Sequence, residues 1–96
     1  MSYKLAKRVE DDIIALARRC GLRQAILFGS RARGDNQERS DIDLAICGGN
    51  TAEFIASADD EIDTLLMFDI VDLGKPVQEE LLMEIRRDGV VLYEEV

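Results

Sequence analysis

The feature that most constrains this chain is a Gly-Ser step at the end of an apolar run, followed at a fixed distance by two aspartates. Residues 26–30 read Ile-Leu-Phe-Gly-Ser, ten further residues follow, and Asp41 and Asp43 then open a second apolar run. Short apolar runs bounded by glycine or polar residues are typical of buried strands. The spacing therefore predicts two neighbouring strands that present the glycine turn and the acidic pair together.

The hydrophobic pattern along the rest of the chain predicts four helices alternating with four strands. Leu5, Val9, Ile13 and Leu16, for example, recur at helical spacing, and Gly21 follows as a stop. The predicted helices are residues 4–20, 30–33, 51–67 and 77–88, and the predicted strands are residues 25–28, 41–47, 68–73 and 90–93. This order indicates one domain over residues 1–96, of the α/β (α+β) class, with a small sheet covered mainly on one face by helices. The pattern alone leaves the polarity of the strands open.

Length and hydrophobic content limit how much of a binding site this chain can build by itself. It has 96 residues, 47% of them hydrophobic, which suffices for one modest core. A deep, self-contained cleft in addition to that core is not expected. We therefore expect any large substrate pocket to be completed by a second subunit, either a partner protein or another copy of this chain.

The charge of the chain restricts the class of partner. A net charge of −8 makes duplex DNA, a long polyanion, a poor partner. The charge is also uneven, since six of the twelve basic residues lie between Arg18 and Arg39, whereas residues 40–74 contain nine carboxylates and no Lys or Arg. A basic segment directly before the acidic pair is suited to binding an anion that is bridged to a metal ion. The alternative interpretation is that the charges are distributed over the surface by chance.

Two features bear on the compartment. The chain has no apolar run long enough to span a membrane, and its first residues lack the apolar core of a signal peptide, so no membrane partner is expected. Cys20 and Cys47 are interpreted as reduced thiols that pack as small hydrophobic side chains, in preference to a disulfide or a metal site. These features predict a cytoplasmic protein.

The Gly29-Ser30 step is a candidate anion-binding turn. Gly29 has no side chain to keep an anion from the backbone, the N–H groups of the following turn point toward that anion, and the Ser30 hydroxyl adds a donor. Of the two arginines in the same turn, Arg33 is the preferred phosphate contact and Arg31 is interpreted as facing solvent. By itself a Gly-Ser step more often marks an ordinary strand-to-helix turn, so its meaning depends on the carboxylates that follow.

Asp41 and Asp43 are predicted to project from one face of a strand, with Cα atoms ~6.6 Å apart. Two aspartates so placed can hold Mg²⁺ ions ~3.5–4 Å apart, an arrangement that clamps an in-line phosphoryl displacement. Mg²⁺ prefers such hard oxygen ligands, and two like charges on one sheet face without a cation would be destabilising. An isolated Asp-x-Asp is usually a solvated strand edge, whereas the preceding glycine turn favours a nucleotide site.

Two-metal chemistry predicts a third carboxylate, and the strand at residues 68–73 supplies two candidates, Asp69 and Asp72. They are three positions apart, so in a regular strand they face opposite sides and only one can join the site. Asp69 is preferred, because it is flanked by two apolar residues. Its expected role is to complete the metal site and to accept the proton of an attacking hydroxyl as general base. The acidic face of the preceding helix is interpreted as solvated surface; it consists of Asp59, Asp60, Glu61 and Asp63.

Together, residues 29–34 (Gly-Ser-Arg-Ala-Arg-Gly) and 40–44 (Ser-Asp-Ile-Asp-Leu) resemble the signature of the polymerase-β-type nucleotidyltransferase superfamily. With its short length and its late Phe-Asp-Ile-Val-Asp-Leu strand, the chain is most similar to the minimal nucleotidyltransferases of bacteria and archaea, from Leu5 to Tyr93. The resemblance implies a polymerase-β-like nucleotidyltransferase fold with a small mixed sheet. It also implies metal-dependent transfer of a nucleoside monophosphate, usually AMP from ATP, to an acceptor hydroxyl.

The resemblance assigns roles to individual residues as well. Gly29 and Ser30 match the triphosphate-binding turn, Asp41 and Asp43 match the metal-binding pair, and Asp69 matches the third acidic position. The implied substrate is ATP or another nucleoside triphosphate, and the implied cofactor is Mg²⁺.

Minimal members of this family often act with a separate helical partner of the HEPN or substrate-binding type, sometimes as the antitoxin of a HEPN ribonuclease that they can adenylylate. The alternative hypothesis is a non-catalytic interaction module, an antitoxin that neutralises such a partner by binding alone or a subunit that completes an oligomer. A purely structural acidic domain fits the composition but leaves the motif unexplained.

Overall fold

Eight elements follow the predicted order in the computed structural model, which describes residues 3–95. The helices are α1 (Lys7–Arg19), α2 (Gly29–Arg33), α3 (Thr51–Glu61) and α4 (Glu79–Asp88), and the strands are β1 (Gln24–Phe28), β2 (Ile42–Cys47), β3 (Phe68–Asp72) and β4 (Val90–Glu94). Within residues 3–95, no helix combines the length and the apolar character needed to cross a membrane.

The third helix is shorter than its sequence pattern predicts. The expectation of a helix through Met67 is wrong, because α3 ends at Glu61 and Ile62 adopts an extended conformation with φ −99° and ψ 123°. Leaving the helix lets Ile62 enter the core, where it is only 3% exposed. The following residues carry the chain to the start of β3, and Leu65 is completely exposed on the way.

The four strands form one mixed sheet in the order β3-β2-β1-β4. β1 runs antiparallel to β2 and β4, whereas β2 and β3 are parallel. The parallel pair arises because α3 carries the chain back along the sheet between the two strands. Phe28, the last residue of β1, is paired with Asp43 near the start of β2, and the first residues of β2 and β3, Ile42 and Phe68, are paired with each other.

The main core lies between the sheet and the helices α1 and α3. Ile13 of α1 and Phe54 of α3 are fully buried in the same cluster as Leu27 and Leu44 of the sheet. On the opposite face α4 forms a smaller cluster around Ile85. The helices therefore cover the sheet mainly on one face, as predicted, and α4 packs against part of the second face.

Candidate active site

The turn at the end of β1 requires a glycine for two reasons. Gly29, where β1 passes into α2, has a φ of +74°, a left-handed backbone conformation that L side chains disfavour. A Cβ at this position would also collide with the carboxylate of Asp43. The glycine motif and the acidic motif of the sequence therefore meet in space.

Ser30 follows Gly29 in α2 and is half-buried. Its backbone carbonyl accepts the N–H groups of Gly34 and Asp35 at 2.9 and 3.1 Å. These two bonds close the turn and return the chain toward the loop that leads to β2.

Asp43 and Asp69 occupy directly paired positions of the parallel strands β2 and β3. Paired residues of neighbouring strands point to the same face of a sheet, so both carboxylates lie on the face that carries α4. The position opposite Asp43 on β1 is Phe28, the residue immediately before Gly29. The second and third acidic positions and the glycine turn thus occupy one end of the sheet.

The carboxyl group of Asp43 binds its proton more tightly than an ordinary aspartate does. Partial burial raises its pKa from 3.8 to about 6, and the negative charges of Asp69, Asp41 and Glu84 contribute to the increase, whereas Arg33 opposes it. Asp41 itself is exposed, one residue before β2 begins. The site therefore concentrates negative charge that its own cations do not balance.

This donor set suits a divalent cation that is shared with a ligand. Within residues 3–95, no three Asp, Glu, His or Cys side chains come together closely enough to enclose a metal ion by themselves. Mg²⁺ rarely uses an all-protein cage, since it is usually held by one or two carboxylates together with waters and substrate phosphates. Hard carboxylate oxygens at Asp41, Asp43 and Asp69 fit that mode of binding, with remaining positions left to phosphate oxygens.

Asp72, the other candidate for the third carboxylate, lies on the opposite face of the sheet. It is paired with Ile46, a fully buried residue of the main core. Its carboxylate accepts hydrogen bonds from the Thr51 hydroxyl and the Gly74 N–H, both at 2.8 Å, and these bonds lower its pKa. Asp72 thus joins the start of α3 to the turn after β3 and is separated from Asp43.

Arg33, the predicted phosphate contact, is held by carboxylates of the protein. Its Nη1 donates to Asp88 at 3.1 Å and lies 3.6 Å from Glu84, and its Nε donates to Asp35 at 3.2 Å. The hydrogen bond to Asp88 is the main reason that the pKa of Arg33 is raised. The guanidinium links the turn to α4 at the margin of the site, close enough to lower the pKa of Asp43.

The interpretation of Arg31 as a solvent-facing residue is wrong. Arg31 is only 7% exposed, and its guanidinium donates to the backbone carbonyls of Ser40, Glu38 and Lys4. Helical spacing gives no signal for this in a helix of five residues, and the acceptors are carbonyl groups that any residue type provides. The sequence therefore contains no pattern that identifies Arg31 as buried.

A cleft of about 430 Å³ opens beside Asp41. On one side it is bounded by the loop before β2, and on the other by the segment between α3 and β3. Leu65 and Met67, large apolar residues of that segment, are strongly exposed. The cleft is lined by Glu38, Arg39, Asp41, Leu65, Leu66 and Met67.

The sequence model of the family described as "Polymerase beta, Nucleotidyltransferase" matches residues 11–96. The chain belongs to this family. The match includes the glycine turn, the acidic pair and β3, so the resemblance to a minimal nucleotidyltransferase of the polymerase-β superfamily is confirmed. A nucleotidyltransferase domain accounts for the glycine turn and carboxylates at one end of a mixed sheet.

Solved structures share the fold of this nucleotidyltransferase domain. A toxin–antitoxin complex with AMP-PNP superposes with a TM-score of 0.68 at 29% identity, covering 90% of this chain and 73% of the other. A tyrosine-to-alanine mutant of the toxin–antitoxin pair MntA-HpeT gives 0.69 at 28% identity, covering 96% and 75%. Another mutant of that pair, with glutamate in place of two aspartates that lie two positions apart, gives 0.65 at 29% identity, covering 90% and 73%. No curated protein matches the chain significantly.

Proposed function

We propose that this nucleotidyltransferase domain transfers AMP from ATP to a hydroxyl group of a partner protein in a Mg²⁺-dependent reaction. The observation that carries the proposal is the position of Asp43. It contacts the space above the Gly29 turn, is paired with Asp69 on the neighbouring strand, and follows Asp41 by two residues. A triphosphate seated at the turn would lie next to Asp43, the carboxylate that contacts this space, and a Mg²⁺ ion bound to the phosphates would connect it to Asp41 and Asp69.

Each of these residues has a distinct task in the proposed reaction. Gly29 lets the triphosphate approach the backbone, and the Ser30 hydroxyl donates to its distal phosphates. Asp69, exposed at the start of β3, accepts the proton of the acceptor hydroxyl. The acceptor oxygen forms a bond to the α-phosphorus, the bond from that phosphorus to the leaving oxygen breaks, and pyrophosphate departs.

The metal would be held by Asp41, Asp43 and Asp69 together with phosphate oxygens. Bound Mg²⁺ would neutralise the charge of the triphosphate and orient its α-phosphate. Burial and, after it, the negative charges of neighbouring carboxylates raise the pKa of Asp43, and this concentration of negative charge supports the assignment. Positioning and electrostatic stabilisation supply most of the catalysis in phosphoryl transfer, so this small site suits the reaction.

A nucleoside triphosphate and a protein partner are supported by the solved neighbours. One of them contains AMP-PNP, an ATP analogue, and all three are toxin–antitoxin structures. In one, two aspartates with the spacing of Asp41 and Asp43 were replaced by glutamate. The proposal is that the partner is a helical protein of the HEPN or substrate-binding type. Its docking at the cleft beside Asp41 would cover the exposed Leu65 and Met67.

The protein acts in the cytoplasm, either as a monomer or as an oligomer. Cys20 and Cys47 are free thiols, which supports a reducing compartment. The subunit that completes the substrate pocket is either this partner or a second copy of the chain.

Transfer of the label from ATP labelled at the α-phosphate tests the proposed function. The wild-type protein is incubated with Mg²⁺ and the labelled ATP, with and without the product of the neighbouring gene. Label should become covalently attached to the partner, and replacing Asp43 with Asn should abolish the attachment. Asp59→Asn, which makes the same charge change on the exposed face of α3, should transfer label at the wild-type rate.

The same experiment distinguishes the enzyme from a non-catalytic antitoxin. A non-catalytic antitoxin would bind and neutralise its partner without attaching label, and neutralisation would survive replacement of both Asp41 and Asp43. Neutralisation that is lost with Asp43→Asn while binding is retained would support the enzymatic proposal.

A further inference from the structure

Arg31 is the one charged residue that is buried within residues 3–95. No carboxylate within this part of the chain forms a salt bridge with it. Burying a charge without a counter-ion is costly unless its hydrogen-bonding groups are satisfied. The burial of this charge therefore depends on the backbone carbonyl groups that accept hydrogen bonds from the guanidinium.

The guanidinium of Arg31 connects segments that have no regular structure of their own. Nε and Nη2 donate to the carbonyl oxygen of Ser40 at 3.1 and 2.9 Å, and Nη2 also donates to that of Glu38 at 3.0 Å. Nη1 lies 3.4 Å from the carbonyl oxygen of Lys4, while the Lys4 N–H donates to the Arg31 carbonyl at 2.9 Å. Arg31 thus fixes the loop at residues 34–41 and the segment before α1 to the turn that begins at Gly29.

The two bonds to Ser40 have the most direct consequence for the site. Ser40 immediately precedes Asp41, and its carbonyl belongs to the peptide group that joins the two residues. A carbonyl oxygen held by two N–H groups of one planar guanidinium cannot rotate freely, so the plane of that peptide group is fixed. Inside the loop, Ser40 is otherwise bonded only to Gln37, through its N–H and its hydroxyl.

We propose that Arg31 is a positioning residue, which sets the distance between the phosphate-binding turn and the Asp41 carboxylate. Arg31 sits two residues after Gly29 on one side and holds the peptide before Asp41 on the other, so it couples the two halves of the site directly. This assignment rests on the proposed function, because it takes Asp41 as a ligand of the nucleotide-bound Mg²⁺.

Lysine cannot replace arginine in this role. The planar guanidinium of Arg31 donates hydrogen bonds to three carbonyl groups in fixed directions. The ammonium group of lysine is a compact donor at the end of a flexible side chain and cannot reproduce this geometry. Arg31→Lys keeps the positive charge and loses the planar guanidinium, and Arg31→Ala loses both. Arg18→Ala, which removes an exposed arginine from α1, is the matched control for loss of a guanidinium. Ile13→Val, in the main core, is the control for a general loss of stability.

Amide hydrogen exchange tests the positioning without depending on catalysis. In Arg31→Lys and Arg31→Ala, the amides of Gln37 and Ser40 should exchange about tenfold faster relative to that of Leu27 in β1, which reports the core. Ile13→Val should speed the exchange of Leu27, which opens with the core, and leave the locally opening amides of Gln37 and Ser40 unchanged, whereas Arg18→Ala should change none. Equal changes at Gln37, Ser40 and Leu27 in the Arg31 variants would overturn the proposal, because Arg31 would then be a core-packing residue only.

Binding of AMP-PNP with and without Mg²⁺ tests the consequence for the site. The Arg31 variants should bind Mg²⁺ with AMP-PNP about tenfold more weakly and bind metal-free AMP-PNP as the wild type does. Guanidinium ion at low millimolar concentration should restore part of the Mg²⁺-dependent affinity to Arg31→Ala and none to Ile13→Val. Unchanged Mg²⁺-dependent affinity in both Arg31 variants would overturn the proposal. Failure of the wild type to bind AMP-PNP would contradict the proposed function instead, and the exchange rates would still decide whether Arg31 holds the loop.

Discussion

Asp43 and Asp69 face each other across the parallel strands β2 and β3, so two carboxylates are paired directly on one side of the sheet. Like charges in this position are destabilising, and Asp69 is the largest charged contributor to the raised pKa of Asp43. The pair lies at the end of the strands, next to the Gly29 turn, rather than in the core. An arrangement that destabilises the free protein and concentrates negative charge at a glycine turn is typical of a site that binds a cation with its substrate.

Replacing Asp43 with Asn should stabilise the metal-free protein at neutral pH. The folded-state pKa of about 6 lies above the ordinary value of 3.8, so the unfolded chain releases this proton first as the pH rises. The wild type should lose stability between about pH 4 and pH 6 relative to the variant, by about 1–2 kcal/mol after allowance for solvent screening. Denaturant unfolding of both proteins over this pH range, in the presence of EDTA, measures the difference. A constant difference across the range would contradict the raised pKa.

Gly29→Ala should be far more damaging than the same change at Gly21. Both glycines have positive φ, +74° and +67°, but a Cβ at Gly29 meets the Asp43 carboxylate, whereas a Cβ at Gly21 meets nothing within 4 Å. We expect a loss of about 2–4 kcal/mol at Gly29 and about 1–2 kcal/mol at Gly21. Thermal or urea unfolding compares the two variants. Equal losses would show that Asp43 does not crowd the turn.

Asp69→Asn and Asp72→Asn should separate activity from stability. Asp72 accepts hydrogen bonds from Thr51 and Gly74 on the core face of the sheet, so its replacement should lower the melting temperature and leave transfer of label intact. Asp69 is exposed on the face of Asp43, so its replacement relieves the repulsion between the two carboxylates and should raise the melting temperature slightly while abolishing transfer. Calorimetry and the labelled-ATP assay on both variants provide the comparison. The reverse pattern would assign the third carboxylate to Asp72.

The ion pairs of Arg33 should compete with nucleotide for its guanidinium. Asp88→Asn removes the main partner of Arg33 and should strengthen Mg²⁺-dependent AMP-PNP binding roughly two- to threefold by freeing the side chain. Arg33→Gln should weaken binding, and Glu79→Gln, an exposed change of equal charge on α4, should leave it unchanged. Isothermal titration calorimetry measures all three. If Arg33→Gln binds as the wild type does, Arg33 serves only to attach α4 to the turn.

Local patterns in the sequence predict the order of the elements well, because each depends on the periodicity of nearby residues. The end of α3 is missed because Leu65 and Leu66 continue its apolar spacing, although the chain must leave the helix to reach β3. The polarity of the sheet and the pairing of Asp43 with Asp69 depend on contacts between distant segments. The alternation of side chains along one strand shows only that Asp69 and Asp72 face opposite sides of the sheet. It does not show which of the two faces Asp43.

The arginines show a second limit of sequence reasoning. Arg31 and Arg33 are two residues apart in one short helix, yet one is buried on backbone carbonyls and the other pairs with carboxylates of α4 more than fifty residues away. Nothing in their neighbouring residues distinguishes them. The acidic and glycine positions are easier to predict, because metal ligation and a left-handed turn each require particular residue types.

A crystal structure with Mg²⁺ and AMP-PNP tests the central claim most directly. We predict that oxygens of Asp41 and Asp43 lie about 2.0–2.1 Å from Mg²⁺, that the triphosphate rests against Gly29 and Ser30, and that Asp69 lies beside the α-phosphate. A nucleotide bound elsewhere on the domain, or a metal ion that none of these carboxylates touches, would contradict it.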